Sequence, residues 1–360
     1  MRLMRLMAVW CGLMLLCWGV VGCGDAREEV VVYCAHDSVF AQDVLTAFEK
    51  ETGIRVRVKY DTESTKSLGL TELILFEREE PVCDVFWNNQ LLGTAELAEQ
   101  GVLEPYQGEG WQRMPVGLKD ANGLYAGFGA RLRVLIVNTE KMKAEEEAVR
   151  GRLGLKYSSL MGWSHALNDT AGWQDDMSRV AMAKPMYGTT LSHYAVMWDL
   201  LDEFSSAGWH RDWRGRGLVE VGGNGVVKNL VATGMCDLGF TDTDDFYVAK
   251  DAGKPVAMLP VRVGEKQQTI CIPNTVALIK GAEHAEAGKQ LIDFLLSEKV
   301  ELMLAASKSR QIPLGAVDET KLSEEVKELR AWAVDAYPLA GLREKRAAAL
   351  AWLKNNYTGD

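Results

Sequence analysis

Short apolar runs alternate along the chain with stretches whose apolar residues recur every three or four positions, which predicts a succession of strands and helices. Val30-Val31-Val32-Tyr33 is a first strand. Phe40, Val44 and Phe48 share one helical face, and Gly53 is placed to end that helix. Residues 54–60 alternate as a second strand, 65–78 read as a helix, and 82–87 as a third strand. A further helix is marked by Leu91, Ala95 and Ala98 and closes at Gly101. Strands separated by crossover helices imply a parallel sheet.

A second unit of the same kind follows an extended crossover at 124–128 and 131–138. Its strands are expected at 180–183, 218–221 and 236–241. Its helices carry the stripe Leu191, Tyr194, Ala195, Trp198, Leu201 and the run 226–232. A strand over 268–278, a helix over 285–296 and a helical C-terminal region from about Ser323 to Asn355 complete the pattern. The expected division is a first lobe of 30–128 and 268–310 and a second lobe of 129–267 and 311–360.

Three hundred and sixty residues suffice for two such lobes. The formal charge of −10 argues against nucleic acid as a partner, since phosphate binding wants clustered Lys and Arg. The first 22 residues read as an export signal, with Arg2 and Arg5 ahead of an apolar run too short for a comfortable membrane span. The run ends in Val20-Val21-Gly22-Cys23, which resembles a bacterial lipobox with Cys23 as the lipidated residue and 23–29 as a linker. An extracytoplasmic, lipid-anchored protein is therefore expected. Cys34, Cys83, Cys236 and Cys271 are widely spaced without a CxxC, so no zinc framework is visible, and their pairing is left open.

In open α/β sheets a ligand binds beyond the carboxyl ends of the strands. Those ends present His36, then Asn88 and Asn89, then Thr189 and Thr190, then Asn224, and finally the run Thr241-Asp242-Thr243-Asp244-Asp245-Phe246-Tyr247. Thr189 or Thr190 suits the N-cap of the helix at Leu191, and Gly188 would let an anion approach its free N–H groups. The GGNG at 222–225 starts another helix. His193 could assist an anion there, and Tyr187 could stack on a ligand. The same residues also suit ordinary capping and core roles, the aspartates complementing a helix dipole.

Four stretches carry a resemblance: VVVYCAHDSVFAQDVLTAFEKETGIRV at 30–56, CDVFWNNQ at 83–90 leading into LAEQGVLEPY, GFTDTDDFYVAKDAGKPV at 239–256, and IPNTVALIKGAEHAEAGKQLIDFLLS at 272–297 followed by QIPL. Together they make the chain similar to the ferric-ion-binding branch of the periplasmic solute-binding proteins. The resemblance implies a type II periplasmic-binding-protein fold, α/β with mixed, mostly parallel sheets, its two lobes joined by two crossover strands. It implies a monomeric receptor that passes its ligand to an ABC-importer permease. It also implies metal ligands at His36 and Tyr247. Asn89 and Phe246 stand where iron-binding relatives have a Glu and a second Tyr, and Asp242, Asp244 and Asp245 could compensate, since ferric ion wants anionic oxygen.

Ferric iron, with an accompanying anion, is the first expectation for the ligand. An organic anion such as a phosphonate or sugar phosphate is the second. A periplasmic enzyme is the third, though the sequence holds no HExxH, GxSxG or P-loop and no GxGxxG opening a helix after a strand.

Overall fold

The computed structural model describes residues 28–61, 68–141 and 176–357. The export segment, Cys23 and part of the 65–78 stretch lie outside them. The first unit runs β1 (Glu29–Cys34), α1 (Ser38–Thr52), β2 (Arg55–Tyr60), α2 (Leu68–Phe76), β3 (Val85–Asn88) and α3 (Leu91–Glu99). Helix α1 buries Phe40, Ala41, Val44, Leu45 and Phe48, the face that the spacing predicts. It ends at Gly53, whose φ of 76° lets its N–H reach the Glu49 carbonyl at 2.9 Å.

The crossover forms one long strand, β5 (Ala126–Asn138), after the short β4 (Leu103–Glu104) and α4 (Glu109–Arg113). Next come β6 (Val180–Ala183), α5 (Gly188–Leu200), α6 (Glu203–Gly215), β7 (Val219–Val221), α7 (Asn224–Ala232), β8 (Leu238–Asp242), α8 (Thr243–Asp251) and β9 (Val256–Pro260). The hairpin β10 (Arg262–Val263) and β11 (Gln268–Thr269) precedes the return strand β12 (Cys271–Ile279). Helices α9 (Ala285–Leu295), α10 (Glu298–Ala306), α11 (Glu324–Ala333) and α12 (Arg343–Tyr357) finish the described chain.

The hydrogen-bonded path β2-β1-β3-β12-β5-β8-β6-β7 changes lobe in the middle of β5. Ala126 to Leu132 pair with β12, whereas Arg133 to Asn138 pair with β8 and β9. Strands β1, β2 and β3 are parallel, as are β6, β7 and β8. β5 and β12 run antiparallel to one another and to their neighbours β8 and β3. The result is the two-lobed mixed α/β fold.

The bend in β5 falls at Gly129, where φ is +45° and an added Cβ would stand 2.8 Å from Gln311 Oε1. The buried Glu301 holds this bend by accepting hydrogen bonds from the Gly129, Leu314 and Gly315 N–H groups while pairing with Arg113. Across it, Asn274 donates to the Gly129 carbonyl and to Gln311 Oε1, and the β12 register shifts between Pro273 and Asn274.

Helix α6 was not legible from apolar spacing because its buried face, Ser206, Ala207, His210 and Trp213, is half polar. Strand 268–278 is broken at Ile270, whose carbonyl accepts from Arg133 N. The four cysteines of the described residues are free thiols, and Cys271 is only half-buried.

His210 gives the fold an acid sensitivity. Its Nδ1 lies 2.8 Å from Tyr194 Oη, its ring meets Trp352 edge-on, and burial, helped by Arg214 and Arg211, pushes it down to about 4. The unfolded chain binds this proton from about pH 6.5 downward while the folded chain refuses it until about 4, so stability falls as pH falls through that window. Guanidinium unfolding at several pH values should therefore show a shallower loss for His210→Phe, by up to about 1.4 kcal/mol per pH unit. An unchanged slope refutes the assignment.

Candidate functional site

A cleft of about 440 Å³ opens where β1, β3, β6 and β8 present their ends beside the middle of β5. Its floor is organised by Asp242, the last residue of β8 and the register partner of Arg133 on β5. Asp242 accepts from Arg133 Nη1 at 2.7 Å, Thr189 Oγ1 at 2.6 Å and Asn224 Nδ2 at 3.0 Å, with Arg131 Nε at 3.5 Å. Burial alone would raise this carboxyl, but Arg133 and then Arg131 overcome it and hold Asp242 below the ordinary carboxylate range. Arg133 is 0% exposed and Arg131 3%.

The aspartates that follow behave differently. Burial is the main reason that Asp244 is pushed up to about 8; Arg131 opposes it, while Asp245, Asp242 and Asp37 add to it. Asp245 is pushed up to about 6, again chiefly by burial, with Asp242 and Asp37 adding and the Thr241 hydrogen bond and Lys228 opposing. Asp37 comes from the first lobe, so carboxylates of both lobes feel one another across the gap.

Helix starts share a second feature. Asp37, Tyr187, Gly223 and Asp242 occupy the N-cap positions of α1, α5, α7 and α8, and none makes a side-chain cap hydrogen bond. All four line the cleft. Of the helices away from this group, α3, α6, α10 and α11 are capped by Gln90, Asp202, Ser297 and Ser323, whereas α4 and α9 begin at Gly108 and His284 without a side-chain cap. Leaving N–H groups uncapped where helices meet a cleft makes it receptive to anions.

Of the residues singled out from the sequence, His36, Asn89, Tyr187, Thr189, Thr190, Asn224, Asp242, Asp244 and Asp245 line the cleft. The His36 ring stacks on Trp87 at 5.6 Å, and its Nε2 accepts from Gln311 Nε2 at 3.0 Å, which puts the ring proton on Nδ1. Thr189 does not cap α5, because the helix begins at Gly188 with Tyr187 as its N-cap, which leaves Thr189 inside the first turn with its hydroxyl on Asp242.

Four expected residues lie elsewhere. On α8, Asp244, Asp245 and Val248 face the cleft, so helical spacing turns Thr243, Phe246 and Tyr247 to the core. Tyr247 packs edge-on to Phe246 at 5.2 Å, under the Arg310 guanidinium at 4.5 Å, and burial followed by Glu325 and Glu328 pushes its phenol up. That environment opposes a metal-bound phenolate. Thr243 Oγ1 accepts from Leu132 N. Asn88 is enclosed, donating to Thr94 Oγ1 at 3.1 Å. His193 is buried edge-on to Phe240, and burial followed by Arg133 holds it well below its usual range, so it stays neutral.

Sequence reasoning missed Arg131, Arg133, Asp37, Lys184, Lys228 and Gln311. Two arginines at alternate positions of an otherwise apolar crossover strand were the available signal, since they share one face. Among the described residues no group of three or more His, Cys, Asp or Glu is placed to hold a metal ion.

The profile of bacterial extracellular solute-binding proteins matches residues 36–301. The chain belongs to that family. This solute-binding protein is 24% identical over 292 residues to the iron uptake protein A1 of Synechocystis, covering 78% of this chain and 74% of the relative. Its fold matches the iron-bound HitA of Pseudomonas aeruginosa with a TM-score of 0.76 at 19% identity, over 91% of this chain and 99% of the other. It also matches AfuA of Actinobacillus pleuropneumoniae with fructose-6-phosphate bound, at a TM-score of 0.72 and 16% identity, over 93% and 100% of the two chains.

The solute-binding protein depends on its buried ion network for a formed cleft. Arg133→Met leaves Asp242 without its closest cation and should cost about 3–5 kcal/mol in denaturant unfolding. Adding Asp242→Asn should return part of that loss. Equal stability of Arg133→Met and the parent would contradict this account.

Proposed function

We propose that the protein captures ferric iron together with an anion in this cleft and delivers them to the permease of an ABC importer, tethered outside the cytoplasm by lipid on Cys23. The observation that carries the reading is that one small space holds both signs of charge. Asp37, Asp244 and Asp245 offer oxygen from both lobes, beside His36, and a bound cation would displace the proton that burial keeps on Asp244. Arg131, Lys228 and four uncapped helix starts offer donors for an anion. Relatives named for iron uptake and for ferric iron binding align with most of the chain, which supports the same ligand.

The neutral Asn89 and the distant Tyr247 make the protein a poor cage for a bare ion. Most of the coordination sphere therefore comes from the anion, so iron is taken as a complex. Closure follows because such a complex touches both lobes and stabilises the state that brings them together.

A second reading has one specific observation behind it: Arg131 and the uncapped helix starts would serve a phosphorylated organic anion equally well without metal, and AfuA, a structural neighbour, was solved with fructose-6-phosphate. Thermal stabilisation by that sugar phosphate, with no iron present, would favour it.

Metal analysis after gel filtration tests the first reading. The mature protein mixed with ferric citrate should retain iron, Asp244→Asn combined with Asp245→Asn should weaken retention more than about tenfold, and Tyr247→Phe should leave it unchanged. Loss of iron in Tyr247→Phe alone would reverse the site assignment. Palmitate labelling of the chain expressed in a bacterium should occur and disappear in Cys23→Ser.

A further inference from the structure

Three buried side chains form a hydrogen-bonded series from the bend of β5 to the cleft. Asn274 and Gln311 are 0% exposed, and His36, which lines the cleft, is 3% exposed. Asn274 Nδ2 donates to the Gly129 carbonyl at 2.5 Å and to Gln311 Oε1 at 2.7 Å. Gln311 Nε2 stands 3.0 Å from His36 Nε2.

The direction of every bond in the series follows from the first. A carbonyl only accepts, so the Asn274 amide has to turn its nitrogen to Gly129. Its second proton then meets Gln311, which must offer oxygen there and nitrogen to His36. Turning both amides over together would set the Asn274 oxygen against the Gly129 carbonyl. His36 Nε2 is therefore an acceptor, and the ring proton sits on Nδ1.

Metal-bound histidines show the opposite polarity. One ring nitrogen gives its lone pair to the metal, and the other donates its N–H to an acceptor that fixes the tautomer. In this chain the lone pair is taken by an N–H of Gln311, and the other nitrogen is protonated. To bind through Nε2, the ring would have to displace Gln311. To bind through Nδ1, it would have to move its proton to Nε2, against the same N–H. Either course leaves a buried amide donor without its acceptor, and a doubly protonated ring has no lone pair at all.

We propose that Gln311, held by Asn274, is a positioning residue that withholds His36 from the metal and leaves an all-oxygen site. The proposal rests on the iron-and-anion reading above and adds how the cleft discriminates among metals. Imidazole is a favoured ligand of zinc, copper and nickel, so its removal weakens the hold on those ions. Asp37, Asp244 and Asp245 remain in the cleft wall. Ferric ion, which wants anionic oxygen, loses least.

Nitrogen-15 NMR of the histidine-labelled mature protein, free of metal, should find the His36 ring protonated at Nδ1. Gln311→Glu offers His36 only an acceptor, so it should move that proton to Nε2 while Asn274 still donates to the carboxylate. Pulsed EPR after loading with ferric citrate should detect no imidazole nitrogen coupled to iron in the parent. It should detect one in Gln311→Glu, lost again when His36→Asn is added. Calorimetric affinity for zinc should rise by at least about tenfold in Gln311→Glu, the scale on which outer partners tune metal sites. Most of that rise should vanish with His36→Asn, and circular dichroism checks the fold of each variant.

A ring protonated at Nε2 in the parent, or still at Nδ1 in Gln311→Glu, overturns the proposal. So does imidazole coupled to iron in the parent, or zinc affinity that Gln311→Glu leaves unchanged. A rise that His36→Asn leaves intact overturns it too, because the added carboxylate is then the cause. Should Gln311→Glu not fold, the ring tautomer and EPR spectrum of the parent decide. A parent that retains no ferric iron with any anion removes the iron reading, and the tautomer and zinc affinities then judge the role of Gln311 by themselves.

Discussion

A carboxylate buried at the end of a strand has to be compensated from several directions, and in this protein the compensation of Asp242 builds the cleft. Its partners arrive from β5 through Arg133 and Arg131, from α5 through Thr189 and from α7 through Asn224. The desolvation cost of such a group is several kcal/mol, so these elements cannot shift independently without exposing or orphaning it. The same demand engages polar groups at two of the helix starts around the cleft. Thr189, which the sequence offers as a cap for α5, has its hydroxyl on Asp242, and Asp242 itself, in the N-cap position of α8, is occupied by arginine.

Most of the fold could be read from periodicity because most elements bury continuous apolar faces. Strand β3 is wholly enclosed, and α1 shows its four-residue spacing plainly. Helix α6 escaped because Ser206 and His210 stand on its buried side, where a spacing rule sees polar residues. The location of the site was legible too, since strand ends in an open sheet mark it. Which side chains enter it was not. On α8 one residue of phase separates Asp244 and Asp245, in the cleft, from Thr243 and Tyr247, in the core, and a motif match carries no information about that phase. Arg131 and Arg133 show the converse failure. Cations in a buried strand look like a breach of the pattern until the carboxylates that they neutralise, more than a hundred residues later, are placed beside them.

The hinge and the ligand space are mechanically joined. Glu301 fixes the bend at Gly129 through three backbone N–H groups, and Gln311 sits against that bend while its amide nitrogen donates to His36 in the cleft. Movement at His36 is thereby coupled to the β5 and β12 crossing through a single side chain. Gln90 and Ser192 approach to 3.4 Å across the lobes nearby, a long hydrogen bond.

On the other side of α5 the lobes are held more firmly. Helix α12 packs along α5, with Trp352 on Trp198 at 5.8 Å, and reaches the first lobe through Arg346, which is 2.5 Å from Glu96 on α3. Arg343 pairs with Glu99 one turn further along the same helix. Helix α12 is thus joined to both lobes on the side away from the cleft, by apolar packing on α5 and by ion pairs to α3. The buried guanidinium of Arg131 is a further link beside the crossing, since it touches Asn89 of the first lobe and Asp244 of the second.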